Sequence, residues 1–277
     1  GSLARSLGAG GDLPWAEAVL GGEPLLPPGT SFFTGAESIF ADEVAIRRRN
    51  AGFLWDAEGR RSAPAAKVNL VPGAEDMRGF HRLPFMLDIM LSLGGYIPDL
   101  VAAEETAVLP LDVRTGERFH VATTVCYDNA FDAPYTEPLR RGPVDFHLVA
   151  SNEAWYEQTV EMDQMAAFSR LLAQSTGRAV VRATNSGISM VLDPSGAEVA
   201  ALEVGGRRKM VAGTLVATVP VPEPGADARS GGPSGGRAPL TFYVLTERWQ
   251  IVGWAGLVLA LLVSARRRRP GGVGAGA

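Results

Sequence analysis

Residues 119–128 read FHVATTVCYD. The first seven are rich in apolar and β-branched side chains, which predicts a buried strand, and the only cysteine of the chain, Cys126, follows it directly. A nucleophile on a sharp turn at a strand end can face a pocket beside backbone N–H groups that stabilise an oxyanion. A lone cysteine is also often a small buried apolar residue. Cys126 is therefore a candidate nucleophile that its neighbours must support.

Strand-like and helix-like segments alternate on both sides of this stretch. We predict strands over residues 30–35, 51–55, 145–150, 179–183, 188–192 and 209–219, an extended segment over 65–71, and a helix over 153–176 that ends at Gly177. Such alternation predicts an α/β domain, and it leaves the strand order open.

The composition excludes several classes of protein. With 277 residues, 46% of them hydrophobic, the chain can bury a sizeable core, and a net charge of -4 gives no reason to expect nucleic acid as a partner. The three histidines, His81, His120 and His147, lack metal-ligand spacing, so we expect no metal site. Because the chain begins with Gly-Ser rather than Met, we expect that its true N-terminus is missing.

The C-terminal part differs in character from the rest. Residues 222–240 are largely rich in Gly, Pro and Ser, which predicts a flexible segment between a domain over residues 1–221 and a C-terminal unit over 241–277. Residues 249–265 carry no formal charge and precede four arginines, which predicts a transmembrane helix with a basic cytoplasmic tail. A buried core helix is the alternative. A spanning helix would place the domain on the opposite, periplasmic side in a bacterium.

A thiol needs a base or a nearby cation to become a thiolate. Lys67 stands in a largely apolar stretch and Glu75 follows eight residues later. Taken alone, these two residues fit an ordinary surface lysine and a loop glutamate. They gain meaning only as part of a larger pattern.

Five segments together resemble the nitrilase (carbon–nitrogen hydrolase) superfamily and, more narrowly, the apolipoprotein N-acyltransferase family. They are KVNLVPGAE (67–75), VCYD (125–128), SNEAWY (151–156), GRAVVRATNSGIS (177–189) and TFY (241–243). They occur in the order of the family and extend the resemblance over most of the chain.

The resemblance implies a nitrilase-like α-β-β-α sandwich with a Glu-Lys-Cys catalytic set and no cofactor. Cys126 matches the nucleophile, Lys67 the oxyanion stabiliser, and Glu75 a second glutamate that supports the site. The matched motifs also imply four substrate-binding residues, Tyr127, Asp128, Asn152 and Trp155, and the backbone N–H of Tyr127 is a second candidate oxyanion donor.

The implied reaction is ping-pong acyl transfer. A phospholipid gives its acyl chain to Cys126 as a thioester, and the acceptor is the N-terminal amine of a lipid-modified apolipoprotein. The implied location is the inner membrane of a bacterium, with the catalytic domain on the periplasmic side. The alternatives are an amidase that hydrolyses C–N bonds and a catalytically dead domain that binds lipoprotein.

The chain departs from the family pattern in three places. No Pro-Glu motif for the general base occurs at the expected spacing. Glu17 is the nearest candidate, and the base is expected upstream of residue 1. Asp128 replaces the glutamate that follows Cys-Tyr in the family, and Gly73-Ala74 replaces the usual Phe-Gly before Glu75. These two replacements bear on substrate choice.

Overall fold

The structure is a computed structural model that describes residues 29–41, 45–57, 59–76, 85, 88, 92, 100–221 and 239–267. Within those residues the strands form two sheets, one of three strands and one of six. The predicted flexible segment falls mostly outside the described residues, and the predicted division of the chain stays a prediction.

The smaller sheet is an antiparallel hairpin extended by a short third strand. Its strands are β1 (Phe32–Ala41), β2 (Ile46–Trp55) and β3 (Ala65–Ala66). Gly52 of β2 lies under the ring of Phe33, where a Cβ would overlap the ring. β3 leads directly into Lys67, so this sheet determines where that lysine lies.

The larger sheet is mixed, with a parallel centre. In the order in which they lie side by side, its strands are β4 (Val108–Asp112), β5 (Arg118–Val125), β6 (Phe146–Ser151), β7 (Ala179–Thr184), β8 (Met190–Leu192) and β9 (Glu198–Ala201). β5, β6 and β7 are parallel, and the other neighbours are antiparallel. The carboxyl ends of the three parallel strands therefore share one edge, where Cys126, Asn152 and Asn185 follow. The α/β prediction is confirmed.

Two helices make the parallel crossovers and cover one face of this sheet. α1 (Ala133–Arg141) joins β5 to β6, and α2 (Glu161–Thr176) joins β6 to β7. The core beneath them consists of Tyr135, Val149, Ala166, Leu172, Ala173, Val180, Ile188, Met190 and Leu192.

The helix predicted over 153–176 is shorter at its start. A 3₁₀ turn over Ala154–Tyr156 and a φ of 50° at Glu157 interrupt the chain before α2 begins. The predicted end is confirmed, because Gly177 takes the left-handed conformation, with φ 63°, that commonly closes helices.

The opposite face of the larger sheet packs against the smaller sheet and a late segment of the chain. Leu54 and Ala65 of the smaller sheet contact Leu109 of β4. Val219 and Val221 pack beside Phe146 and its neighbours. The prediction of a strand over 209–219 is wrong: the segment crosses this face and makes no ladder hydrogen bonds within the described residues, although its valines are typical of strands.

A long C-terminal helix, α3 (Phe242–Arg267), is anchored to the domain at its first turns. Val244 is fully buried against Leu139, and Arg140 of α1 donates hydrogen bonds to the Val244 carbonyl and pairs with Glu247. Tyr243 Oη donates to Asp132 at 2.6 Å.

The prediction of a transmembrane helix over residues 249–265 is not supported. No helix in the described part of the chain has both the length and the apolar character needed to cross a bilayer. The predicted orientation, with a periplasmic domain and a cytoplasmic tail, depended on that span and loses its support with it.

His147, on β6, is a titratable residue in the buried core. Its ring is fully buried, 4.7 Å from the Tyr135 ring, and neither ring nitrogen has a hydrogen-bond partner among the described residues. Burial, and to a lesser extent the charge of Arg178, lowers the pKa of His147 to about 3.

We therefore expect His147 to destabilise the fold in acid. At pH values between the pKa of about 3 in the folded protein and the ordinary histidine pKa of ~6.5, the unfolded chain binds more protons at residue 147 than the folded protein does. The free energy of unfolding therefore has its full value above pH ~6.5 and decreases as the pH falls. The slope should reach ~1.4 kcal/mol per pH unit, and His147→Leu should remove it. Urea unfolding of both proteins at about pH 7.5 and about pH 5 measures the difference. Equal acid sensitivity of the two proteins would contradict the assignment.

Candidate active site

Cys126 lies on a strained turn at the carboxyl edge of the parallel strands. It follows β5 directly, begins the 3₁₀ helix Cys126–Ala130 and has a φ of 51°. A positive φ is uncommon for a residue with a side chain and marks a backbone that its surroundings hold in place. The thiol donates to the carbonyl of Asn152, which follows β6, with 3.7 Å between sulfur and oxygen.

Lys67 and Glu75 form an ion pair in the same region. The Lys67 side chain is fully buried, and its Nζ lies 2.6 Å from Glu75 Oε2 and 5.9 Å from the ring centroid of Tyr127, the neighbour of Cys126. Glu75 also accepts hydrogen bonds from the backbone N–H of Val71 and the side-chain amide of Asn50. Both carboxylate oxygens of Glu75 are therefore engaged.

Asp128 joins the lysine segment to the cysteine segment. Its carboxylate accepts from the N–H groups of Val68, Asn69 and Val125 and from the Asn69 side-chain amide. The residue is only 2% exposed, and burial raises its pKa while these donors and the charge of Lys67 act in the opposite direction. Its predicted role in substrate binding stays a prediction, since the observed contacts are internal.

The other three predicted substrate-binding residues lie nearer the surface. Tyr127 is partly buried and meets the Phe131 ring edge-on at 5.0 Å. Asn152 is exposed, and its side-chain oxygen accepts from Asn185 Nδ2 at 2.7 Å. Trp155 is 83% exposed and lines an open cavity of about 450 Å³. The structure thus brings all seven predicted residues to one edge of the larger sheet, and their roles stay predictions.

Tyr156 belongs to the same site, although the sequence analysis assigned it no role. It lines the cavity beside Trp155. Burial first, and then the nearby negative charge that Cys126, Glu161, Tyr127 and Glu75 can carry, raises the pKa of Tyr156 to about 12. Its phenol therefore stays neutral at physiological pH and is available as a hydrogen-bond donor. Its place in the SNEAWY segment was the available signal.

The predicted general base lies outside the described residues, as does Glu17. Near the thiol, the described carboxylates of Glu75 and Asp128 are both occupied by internal donors. The site therefore contains the candidate nucleophile Cys126 and the ion pair of Lys67 with Glu75.

Replacing Asp128 by Asn tests the junction between the two segments. The amide removes the charge and points N–H groups at N–H donors, so the free energy of unfolding should fall by about 1–3 kcal/mol. Asp112→Asn is the matched control, because Asp112 forms an exposed pair with Arg118, and it should change stability little. Urea unfolding measures both, and equal effects would refute the role of Asp128.

Known proteins resemble this chain in sequence and fold. A curated apolipoprotein N-acyltransferase of Ralstonia nicotianae is 32% identical over 208 residues, which cover 74% of this chain and 34% of the relative. The enzyme of the same name from Chlorobaculum tepidum is 26% identical over 182 residues, 66% of this chain and 34% of that one. The chain thus spans about a third of the length of these relatives.

One solved structure similar to this chain is a crystal structure of an amidase from Nesterenkonia sp.. It is 20% identical with a TM-score of 0.45, and the match covers 63% of this chain and 57% of the amidase chain. The model of the carbon–nitrogen hydrolase family matches residues 41–222, well over half of the chain. The predicted nitrilase-like α/β fold and the resemblance to apolipoprotein N-acyltransferases are confirmed by these matches. The chain belongs to the carbon–nitrogen hydrolase family.

Proposed function

We propose that this chain carries the acyl-transfer site of an N-acyltransferase that matures lipoproteins. In this proposal an acyl chain passes from a phospholipid, through a thioester on Cys126, to the N-terminal amine of a lipid-modified apolipoprotein. The observation that carries it is the thiol of Cys126 on a strained turn beside the buried Lys67–Glu75 pair. The names of the relatives support the class of acceptor.

The first step forms the thioester. The Cys126 thiolate attacks the ester carbonyl, a C–S bond forms, and the carbonyl oxygen becomes an oxyanion. The C–O bond then breaks, and the lysophospholipid alcohol leaves with the proton that the thiol lost. Lys67 Nζ and the backbone N–H of Tyr127 are the proposed oxyanion donors.

The second step transfers the acyl group to nitrogen. The amine of the apolipoprotein attacks the thioester, the C–N bond forms, the C–S bond breaks, and the thiol is restored with a proton from the amine. A base must carry these protons. Glu75 is proposed to hold Lys67 in place, because its two oxygens are already bonded to Lys67, Val71 and Asn50.

We propose that three of the predicted substrate-binding residues contact substrate, and their exposure supports this proposal. Tyr127, Asn152 and Trp155 are at least partly exposed around the thiol and the open cavity. We assign Asp128 a supporting role, because its enclosed carboxylate binds the backbone on both sides of the site.

A phospholipid donor requires the site to work at a membrane surface. The proposed location is the bacterial inner membrane. Apolar side chains that would suit contact with lipid are exposed along α3, among them Phe242, Leu245, Trp249, Ile251 and Trp254.

The thioester provides the direct test. The whole protein, as translated in its host, is incubated with phosphatidylethanolamine vesicles and analysed by peptide mass spectrometry. We expect the mass of one acyl group on Cys126, removable by hydroxylamine, and none in Cys126→Ala. Addition of an N-terminal diacylglyceryl-cysteine peptide should clear the adduct and acylate the peptide.

Other outcomes separate the competing functions. Release of the acyl group to water alone, with no acylated peptide, indicates a hydrolase. Absence of any adduct on a folded protein contradicts acyl transfer and leaves a binding domain as the better reading.

Replacing Lys67 tests the oxyanion site. In Lys67→Met/Glu75→Gln both partners become neutral, so no unpaired buried charge remains. Thioester formation should slow by roughly 10²–10³-fold, the usual effect of losing one oxyanion donor. Alkylation of Cys126 by iodoacetamide, which forms no oxyanion, should slow far less. Lys209→Met removes a partly buried lysine paired with Asp163 and serves as control, with wild-type rates expected. Equal slowing of alkylation and acylation would refute the assigned role.

A further inference from the structure

A second buried ion pair lies behind the candidate nucleophile. Arg182, on the helix-covered face of β7, pairs with Glu153, and both side chains are fully buried. Arg182 Nε also donates to the Ile188 carbonyl at 3.1 Å, and Nη1 donates to Ser169 Oγ at 3.3 Å. The guanidinium thus contacts three separate segments of the chain.

Through Glu153, Arg182 is connected to the backbone on one side of the Cys126 thiol. Glu153 follows Asn152, whose carbonyl accepts from the Cys126 thiol. The backbone N–H of Glu153 donates to Asn185 Oδ1 at 2.9 Å, and Asn185 in turn donates to the Asn152 side chain. The Glu153 carboxylate thus belongs to the residue directly after the carbonyl that accepts from the thiol.

The contact with Ser169 leads to the other side of the thiol. Ser169 Oγ donates to Asn129 Oδ1 at 2.7 Å, and Asn129 lies in the short helix that Cys126 begins. Asn129 is fully buried and donates to the Met165 carbonyl at 2.7 Å. Arg182 is thus connected to both backbone segments that flank the sulfur.

The pair is not explained by stability alone. Burial lowers the pKa of Arg182 to about 10, which leaves it protonated at neutral pH but records the cost of removing the cation from water. Apolar residues of similar volume often match or exceed a buried ion pair in stability. What they do not reproduce is the planar set of donors that reaches three segments at once.

We propose that Arg182 and Glu153 form a positioning pair that sets the distance between the Cys126 turn and the Asn152 carbonyl, and thereby the reactivity of the thiol. This inference rests on Cys126 being the nucleophile of the proposed function. It concerns the thiol itself, so it can be measured without any acyl donor or acceptor.

Other charged and titratable groups around the thiol must be kept constant in a test. They are Lys67, Glu75, Tyr127, Asp128 and Tyr156. Variants restricted to the positioning pair and its contacts leave all of them unchanged.

Two variants perturb the pair in different ways. Glu153→Gln/Arg182→Met removes both charges together, so neither partner remains as an unpaired buried ion. Gly187→Ala keeps both charges and displaces the carboxylate, because a Cβ at residue 187 would overlap Glu153 Oε2.

The rate constant for alkylation of Cys126 by iodoacetamide, measured across pH in the 277-residue chain, reads out the thiol, which is the only cysteine. We expect the alkylation profile of the double variant to differ from wild type, with rates changed about threefold or more, because the carbonyl that accepts from the thiol is repositioned. Gly187→Ala should change the alkylation rate about threefold or more at constant charge.

Arg178→Lys is the matched control. Arg178 is a buried arginine that donates hydrogen bonds to the carbonyls of Val144, Gly177 and Pro239. It should lower the thermal unfolding temperature and leave the alkylation profile of the folded protein unchanged. If the double variant does not fold, the alkylation rate of Gly187→Ala alone tests the proposal.

Wild-type midpoint and rate in the folded variants would overturn the proposal and leave the pair a purely structural feature. A shifted profile in a protein that forms no thioester would preserve the positioning role and reject only the acyl-transfer reaction. A thioester formed at the wild-type rate, together with an unchanged alkylation profile in the variants, would preserve the acyl-transfer reaction and reject the positioning role.

Discussion

The carboxylate of Asp128 accepts hydrogen bonds from backbone N–H groups that belong to two different sheets. Val68 and Asn69 follow the last strand of the smaller sheet, and Val125 ends a central strand of the larger one. Lys67 and Cys126 stand next to these donors in sequence, so the separation of the two catalytic candidates depends on this one buried group. A shorter or longer side chain at this position would change that separation directly.

The site is assembled from buried charges that compensate one another locally. Lys67 pairs with Glu75, Arg182 pairs with Glu153, and the charge of Asp128 is met by backbone dipoles. Each arrangement is costly to create in a core and strongly destabilising when only one partner is removed. Such a network therefore holds its geometry firmly, which suits a site where preorganised donors must meet a developing negative charge.

Much of the fold could be predicted from local patterns, because burial in a parallel strand leaves a clear signature. The strand before Cys126 and the helix end at Gly177 are of this kind. The start of α2 was not predictable, because the apolar spacing of residues 153–160 continues that of the helix while Glu157 breaks it. Residues 209–219 have strand-like composition, but a segment that lies across a sheet face buries the same valines without pairing.

The candidate site divides in the same way. Lys67 and Glu75 were found through a resemblance, since neither residue is distinctive alone. The pairing of Glu153 with Arg182 joins a residue that follows β6 to one on β7, and nothing in either local sequence determines which carboxylate meets which guanidinium. Tyr156 was not singled out, because its partial burial and its position near Cys126 depend on the fold.

The anchored base of α3 has a mechanical consequence. Arg140, Tyr243 and Val244 join the first turns of the helix to α1 through hydrogen bonds and a buried contact, so the helix root and the domain rotate together. At about 1.5 Å per residue, the 26 residues of α3 extend roughly 39 Å. A tilt of about 10° at the root moves the far end by roughly 7 Å over that length. Anything that holds the far end of α3 in place therefore also determines the direction in which the edge of the larger sheet that carries Cys126 faces.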